Sequence, residues 1–204
     1  MLAYPGEGAC AMARPREFDR DQVVDRAVDV FWRQGFEATS IQDLVEATGL
    51  NRGSLYNTFG DKAGLFEAAL ERYMADAPPH HVVAAAETGP PRQVIGEFFA
   101  RLVELGASDT ERRGCLMTNT AAELAARDER VAAQVAEAMQ GLEDALFRLI
   151  GRGQETGEIA PWRDPRALAR FLVASAQGLR ITAKLNRDRA ALEAIADIAL
   201  SNLD

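Results

Sequence analysis

Residues 51–62 read Asn51-Arg52-Gly53-Ser54-Leu55-Tyr56-Asn57-Thr58-Phe59-Gly60-Asp61-Lys62, a run rich in amide, hydroxyl and basic side chains. On a short helix, Leu55 and Phe59 stand four residues apart and point inward. Asn51, Arg52, Gly53 and Ser54, with Asn57 and Thr58, then make a small, polar outer side. A helix that enters a DNA groove needs such a surface. Tyr56, between the inward pair, can reach a backbone phosphate through its hydroxyl. The chemistry on offer is recognition. Only His80 and His81 could act as bases near neutral pH, and they sit side by side in a Pro-rich stretch. Two adjacent imidazoles without a third ligand are weak as a metal site, and no nucleophile stands near a base. An enzyme is therefore not expected, and neither a metal nor a cofactor.

A second reactive group is Cys115, within Gly114-Cys115-Leu116-Met117. A helix starting there favours thiolate at its N-terminus, and Arg112 and Arg113 push the same way. The alternative is a small thiol that fills a gap in the packing.

Three short helices must position residues 51–59. Val23, Val24, Ala27, Val28 and Phe31 share one face of an amphipathic helix over 20–34, which Gly35 ends. Thr39 and Ser40 offer N-caps, with Gln42 and Asp43 as capping-box partners, for a helix from Ile41 to Thr48. Gly49 supplies the turn, Leu50 plugs the gap between helices, and Asn51 caps the next helix. The first turn of the helix from Ile41 exposes N–H groups suited to a phosphate. Gly60-Asp61 then starts a fourth helix carrying Leu65, Phe66, Ala69, Leu70 and Tyr73.

Two Pro-Pro pairs and a Gly between Asp76 and Pro91 read as a linker. Helices follow over roughly 92–107, 114–126, 128–153, 165–186 and 188–202. The expected organisation is a disordered or non-native start over 1–13, a helix-turn-helix domain over 14–75, a linker over 76–91 and a helical domain over 92–204.

The chain has 204 residues, 48% of them hydrophobic and 26% charged, as in an ordinary globular protein. It has no apolar run of spanning length and no basic start followed by an apolar stretch, so a cytoplasmic protein is expected. Two cysteines make no disulfide framework. The net charge is −8, and residues 12–62 carry seven bases against nine acids. Indiscriminate nucleic-acid binding is thereby disfavoured, and any DNA contact must rest on a few focal positive groups.

The stretch Phe36-Glu37-Ala38-Thr39-Ser40-Ile41, continuing through Gly49-Leu50 and the 51–62 run, resembles the signature of the TetR family of repressors. The resemblance covers about residues 18–66, and the order of helices behind it agrees. It implies an all-α fold with an N-terminal three-helix helix-turn-helix domain followed by a helical-bundle ligand-binding and dimerisation domain. It also implies a homodimer on double-stranded DNA with a palindromic operator, released when a small-molecule effector or electrophile occupies the second domain. An activator or a non-releasing DNA-binding protein would use the same motif. Arg52, Ser54 and Asn57 take the base-edge positions, and Asn51 and Gly53 belong to the same DNA-binding surface. Thr39, Ser40, Tyr56, Thr58 and Lys62 take the phosphate positions, and Arg14 and Arg16 lie in the flexible arm. Members commonly carry histidine where Asn57 stands, so the operator sequence does not carry over.

The Gly-Cys-Leu stretch, with Ala183-Lys184, is similar to the N-ethylmaleimide-responsive branch of that family. It implies modification of Cys115 by an electrophile, with Lys184 as a cationic neighbour. Phe98, Phe99, Leu102, Met117, Leu146, Phe147, Phe171 and Gln177 are candidates to line an effector pocket, and their faces favour a small, apolar or uncharged ligand. Leu168, Phe171, Leu172, Ser175, Gly178 and Leu179, with Leu192, Ile195, Ala196, Ala199 and Leu200, are candidates for a dimer face.

Overall fold

A computed structural model of the chain describes residues 18–204, and its secondary structure is entirely helical over that span. The expectations for residues 1–13, Arg14 and Arg16 lie outside the described residues. The first four helices are α1 (Arg20–Gln34), α2 (Ile41–Thr48), α3 (Arg52–Phe59) and α4 (Lys62–Asp76). Each begins on a side chain that accepts an otherwise orphaned backbone N–H. Asp19 caps α1, Ser40 caps α2, Asn51 caps α3 and Asp61 caps α4. Of the two capping candidates before α2, Ser40 takes the position and pairs reciprocally with Asp43.

The α2–α3 turn passes through Gly49, at φ +73°. A Cβ there would meet nothing nearer than Arg26 Nη1 at 3.8 Å, so the demand on this position is conformational rather than steric. Gly49→Ala is expected to destabilise the fold by about 1 kcal/mol. A denaturant midpoint unchanged from wild type would count against that reading.

The second set is α5 (Pro78–Ala85), α6 (Pro91–Ser108), α7 (Leu116–Leu124), α8 (Glu129–Thr156), α9 (Pro165–Leu185) and α10 (Arg189–Leu200), closed by a 3-10 turn at Ser201–Leu203. The segment expected as a linker is thus largely helix. Its prolines stand at helix starts, where the missing N–H costs nothing, and they do not break anything. Val82 and Ala86 are fully buried against the second core.

Two apolar cores form, and they do not divide at residue 76. The first gathers Val23, Ala27, Phe31, Leu44, Leu55, Leu65, Phe66 and Leu70 from α1–α4. It also takes Leu116, Met117 and Leu124 from α7 and Val131 and Val135 from α8. The second joins α5, α6, α8, α9 and α10 around Phe99, Leu146, Leu149, Ile150, Leu172 and Leu179. The helix-turn-helix unit is therefore seated on α7 and the start of α8, and a shift in those helices must reach it.

Gly106 marks a close helix crossing in the second core, since a Cβ there would meet the Ala183 Cβ at 2.8 Å and Leu192 Cδ1 at 3.2 Å. No described helix is long and apolar enough to cross a membrane.

Candidate nucleic-acid interface

The outer side of α3 is built as its residue types predict. Leu55 is buried and Phe59 half-buried, while Asn51, Arg52, Gly53, Tyr56 and Asn57 are exposed and Ser54 half-exposed. Asn51 has a structural duty, because its Oδ1 accepts the Ser54 N–H at 2.9 Å. Thr58 donates its hydroxyl to the Ser54 carbonyl at 2.8 Å, which draws it onto its own helix. Arg52, Ser54, Tyr56 and Asn57 remain the side chains free to meet a ligand. The Arg20 guanidinium lies 5.3 Å from the Phe59 ring centre and adds a positive group beside the end of α3.

Two residues expected at phosphate positions bond within the loop itself. Thr39 is 1% exposed, and its hydroxyl donates to the Gly35 carbonyl at 2.6 Å. It holds the α1–α2 loop from inside. Lys62 donates to the carbonyls of Phe36 at 2.9 Å and Thr39 at 3.0 Å, with its ammonium 4.3 Å from the Phe36 ring centre. A lysine at a helix start is unfavourable beside the positive end of the dipole, and those two carbonyls compensate it. In this structure it braces the loop from below.

Ser40 keeps an exposed position but is committed to its cap. Asp43 receives the Ser40 N–H at 2.8 Å and its hydroxyl at 2.7 Å, and the Ser40 oxygen accepts the Asp43 N–H. These bonds hold the Asp43 carboxyl below its ordinary value of 3.8. A carboxyl whose value is lowered by folding contributes stability fully above its unfolded value, and the contribution fades as pH falls through the folded one. The α2 start is therefore expected to loosen on acidification below about pH 4, and Asp43→Asn is expected to flatten that dependence. Amide exchange of the α2 first turn against pH reads it.

The same loop is gripped from the far side by a residue that sequence reasoning passed over. Glu123, on α7, accepts the N–H of Phe36 at 3.1 Å and of Glu37 at 2.7 Å. A second link joins α1 to the chain before α7, where Trp32 Nε1 donates to the Gly114 carbonyl at 3.2 Å. Arg180, on α9, donates to that same carbonyl. Gly114 stands at φ +70° with Lys184 carbons packed over the place a Cβ would take, so glycine is required there on both grounds.

Next to this junction lies a cavity of about 250 Å³ with mostly apolar walls. Tyr73, Phe98, Met117, Leu142, Gln177 and Arg180 are among its lining, and Cys115 opens onto it. Of the expected pocket residues, Phe98, Leu102, Met117 and Gln177 are in the wall. Phe99 and Leu146 are instead fully buried in the second core. Phe147 lies under the Arg166 guanidinium, 4.1 Å from ring centre to Cζ. Phe171 is 44% exposed on the outside of α9. An α-helix with two buried faces sends neighbouring aromatics to different places, which apolar spacing alone does not resolve.

Cys115 is half-buried and accepts the Tyr73 hydroxyl at 3.6 Å. Burial pushes the Tyr73 phenol far above its ordinary range, so it stays a neutral donor. The cationic surroundings expected for the thiol are mostly spent elsewhere. Arg113 ion-pairs with Asp29 at 3.2 Å and Glu111 at 3.3 Å and stacks on Trp32, 4.1 Å away. Lys184 donates to Asn119 Oδ1 at 3.0 Å.

The proposed dimer faces split in the same way. Leu168, Leu172, Leu179, Leu192, Ala196 and Ala199 are buried within the chain. The outward side of α9 carries Phe171, Ala174, Gly178, Ile181 and Leu185 at alternating spacings of three and four. Ile181 is 51% exposed and Leu185 78%, with Ile198 of α10 at 69%.

These features define a helix-turn-helix protein whose reading head is fastened to a helical domain, with a largely apolar cavity beside the junction. Residues 23–69 match the family model of the bacterial regulatory proteins of the tetR family, and residues 91–199 match the tetracyclin repressor-like C-terminal domain. The chain belongs to the TetR family of transcriptional regulators. It is 36% identical over 191 residues to the HTH-type transcriptional repressor ComR of Escherichia coli, covering 93% of this chain and 90% of that one. It is 32% identical over 194 residues to the HTH-type transcriptional regulator YezE of Bacillus subtilis, covering 95% and 100%. Among solved structures, a cysteine-substituted variant of the TetR family regulator CifR, complexed with 26 bp double-strand operator DNA, superposes with TM-score 0.78 at 31% identity, covering 94% of this chain and 100% of that one.

Proposed function

We propose that the protein is a homodimeric, sequence-specific transcriptional repressor that binds a palindromic operator in the cytoplasm and leaves it when a signal reaches the cavity. The observation that carries this reading is the outer side of α3, where Arg52, Ser54, Tyr56 and Asn57 stand clear of the core on a helix fixed at both ends. The operator complex of the CifR relative supports the same use of the domain. With seven bases against nine acids over residues 12–62, affinity rests on Arg52, Arg20 and Tyr56 rather than on bulk charge. The outward stripe on α9 supports the homodimer, since exposed apolar residues at helical spacing are unfavourable in an isolated chain and a second copy buries them.

The electrophile-responsive branch is part of the same proposal. Cys115 supports it by opening onto the cavity beside Tyr73 and one residue from the Gly114 junction. Release would follow from repacking around that junction, which both α1 and α9 hold. A Cys115→Ser protein that still leaves DNA normally on electrophile treatment would end the electrophile reading and leave the repressor reading intact.

Selection from random double-stranded DNA tests the main claim. A two-fold symmetric site is expected, with half-site centres about one helical turn apart or a multiple of it. Recovery of DNA without a shared sequence would refute it.

A further inference from the structure

Arg180 is a cation that the fold has buried without an acid. It is 7% exposed, in the last third of α9, and its guanidinium donates to the Gly114 carbonyl. The carboxylates nearest in the adjoining groove, Asp25 and Asp76, are both taken by Arg72 at 2.7 Å. Asp109 accepts the Gly114 N–H at 2.8 Å and faces Arg113. Arg180 forms no ion pair with any described residue, whereas Arg33, Arg72, Arg92, Arg113, Arg166 and Arg189 each have one. A buried charge left in this state is costly unless a partner of opposite sign arrives. Arg180 also lines the cavity, whose other walls are mostly hydrocarbon.

We propose that the cavity binds an amphipathic carboxylate: an apolar chain or ring whose carboxylate pairs with Arg180. This rests on the regulator reading above and replaces the apolar, uncharged ligand that the helix faces suggested. The volume, about 250 Å³, lies just under the usual small-molecule range and limits the ligand to a short chain or a single ring. Phe98, Leu102, Met117 and Leu142 would cover the apolar body. The neutral Tyr73 hydroxyl, which also lines the cavity and donates to the Cys115 sulfur, would supply a further donor on turning to the head group.

The same pairing gives the signal a route. A guanidinium fork turned toward a carboxylate is drawn from the Gly114 carbonyl, because a charged acceptor outcompetes a neutral one. Trp32 of α1 shares that carbonyl, so the seat of the helix-turn-helix unit changes with it.

Trp32 is also the reporter. The chain has two tryptophans, and Trp162 is 65% exposed, so Trp162→Phe leaves Trp32 as the sole emitter. The Trp162→Phe protein is titrated with octanoate and phenylacetate, and in parallel with octan-1-ol and 2-phenylethanol, which match their apolar bodies. At least one acid is expected to shift Trp32 emission and to bind about tenfold or more tighter than its alcohol. Which acid binds decides between chain and ring. Arg180→Lys is expected to keep part of the preference, and Arg180→Met to abolish it. Because Arg180 also braces Gly114, the acid-against-alcohol comparison on the unmutated site stands even if the Met variant does not fold. Alcohols binding as tightly as acids, or neither acid binding, would overturn the proposal. Operator binding without ligand, read on the same sample, reports on the regulator reading separately: an intact operator complex with no acid preference sinks the ligand assignment alone.

Discussion

Phe31→Ala is expected to lower the stability of the protein by about 3–5 kcal/mol. Phe31 is fully buried at the centre of the first core, with its ring 4.9 Å from Phe66 in an edge-on arrangement and 6.2 Å from Phe36. Removing it takes away an aromatic pair and leaves a void that α1 and α4 cannot close, because Ala27, Leu65 and Ala69 are already buried in packed positions. The loss falls on the helix-turn-helix unit, so operator binding should fail at temperatures where the second core still holds. Denaturant unfolding followed by circular dichroism, beside a Phe31→Leu control that keeps most of the volume, measures it. A cost below about 1 kcal/mol would show that the first core is not organised around this ring.

The second large effect is expected at Glu123. Its carboxylate receives two backbone N–H groups from the loop that leads into α2, each a hydrogen bond to a charged acceptor. Such bonds contribute about 1.5–3 kcal/mol each, and the Glu37 bond belongs at the low end because that residue faces solvent. With Glu123→Ala, the loop loses its hold from α7 and is left to Thr39 and Lys62, and the order of α2 relative to α3 loosens. Operator affinity is expected to fall about tenfold or more, and the Phe36 and Glu37 amides should exchange faster. Glu123→Gln keeps one strong acceptor and should fall between. Unchanged affinity and unchanged exchange would mean that α7 does not set the loop.

Local signals made the reading head legible. Asp19, Ser40, Asn51 and Asp61 announce four helix starts, and Gly49 marks the turn, because capping and positive φ depend on adjacent residues alone. The polar side of α3 follows from the four-residue spacing of Leu55 and Phe59. Where the sequence misled, the partner was distant or the same residue type had two uses. Prolines at 78, 79 and 91 looked like breakers and are helix starters. Thr39 and Lys62 have the right types for phosphate contacts, yet their hydrogen bonds close the loop internally, and only the folded loop supplies those carbonyls. Glu123 is 87 residues from Phe36 along the chain, and nothing local distinguishes it from other helical glutamates. Arg180 reads in sequence as one charge on an apolar helix. Its want of an acid shows only when every nearby carboxylate has been assigned.

The reading head carries more acids than bases, so its grip on DNA must be narrow. The most direct measurement is fluorescence anisotropy with the intergenic DNA beside the protein's own gene, for wild type and Arg52→Ala, across a range of salt. Specific binding by the wild type is expected, with log K falling linearly as log salt rises. Arg52→Ala should cost about 1–3 kcal/mol and relax discrimination at the base it reads. Equal and weak affinity for that DNA and a scrambled duplex at moderate salt, unaffected by Arg52→Ala, would contradict it.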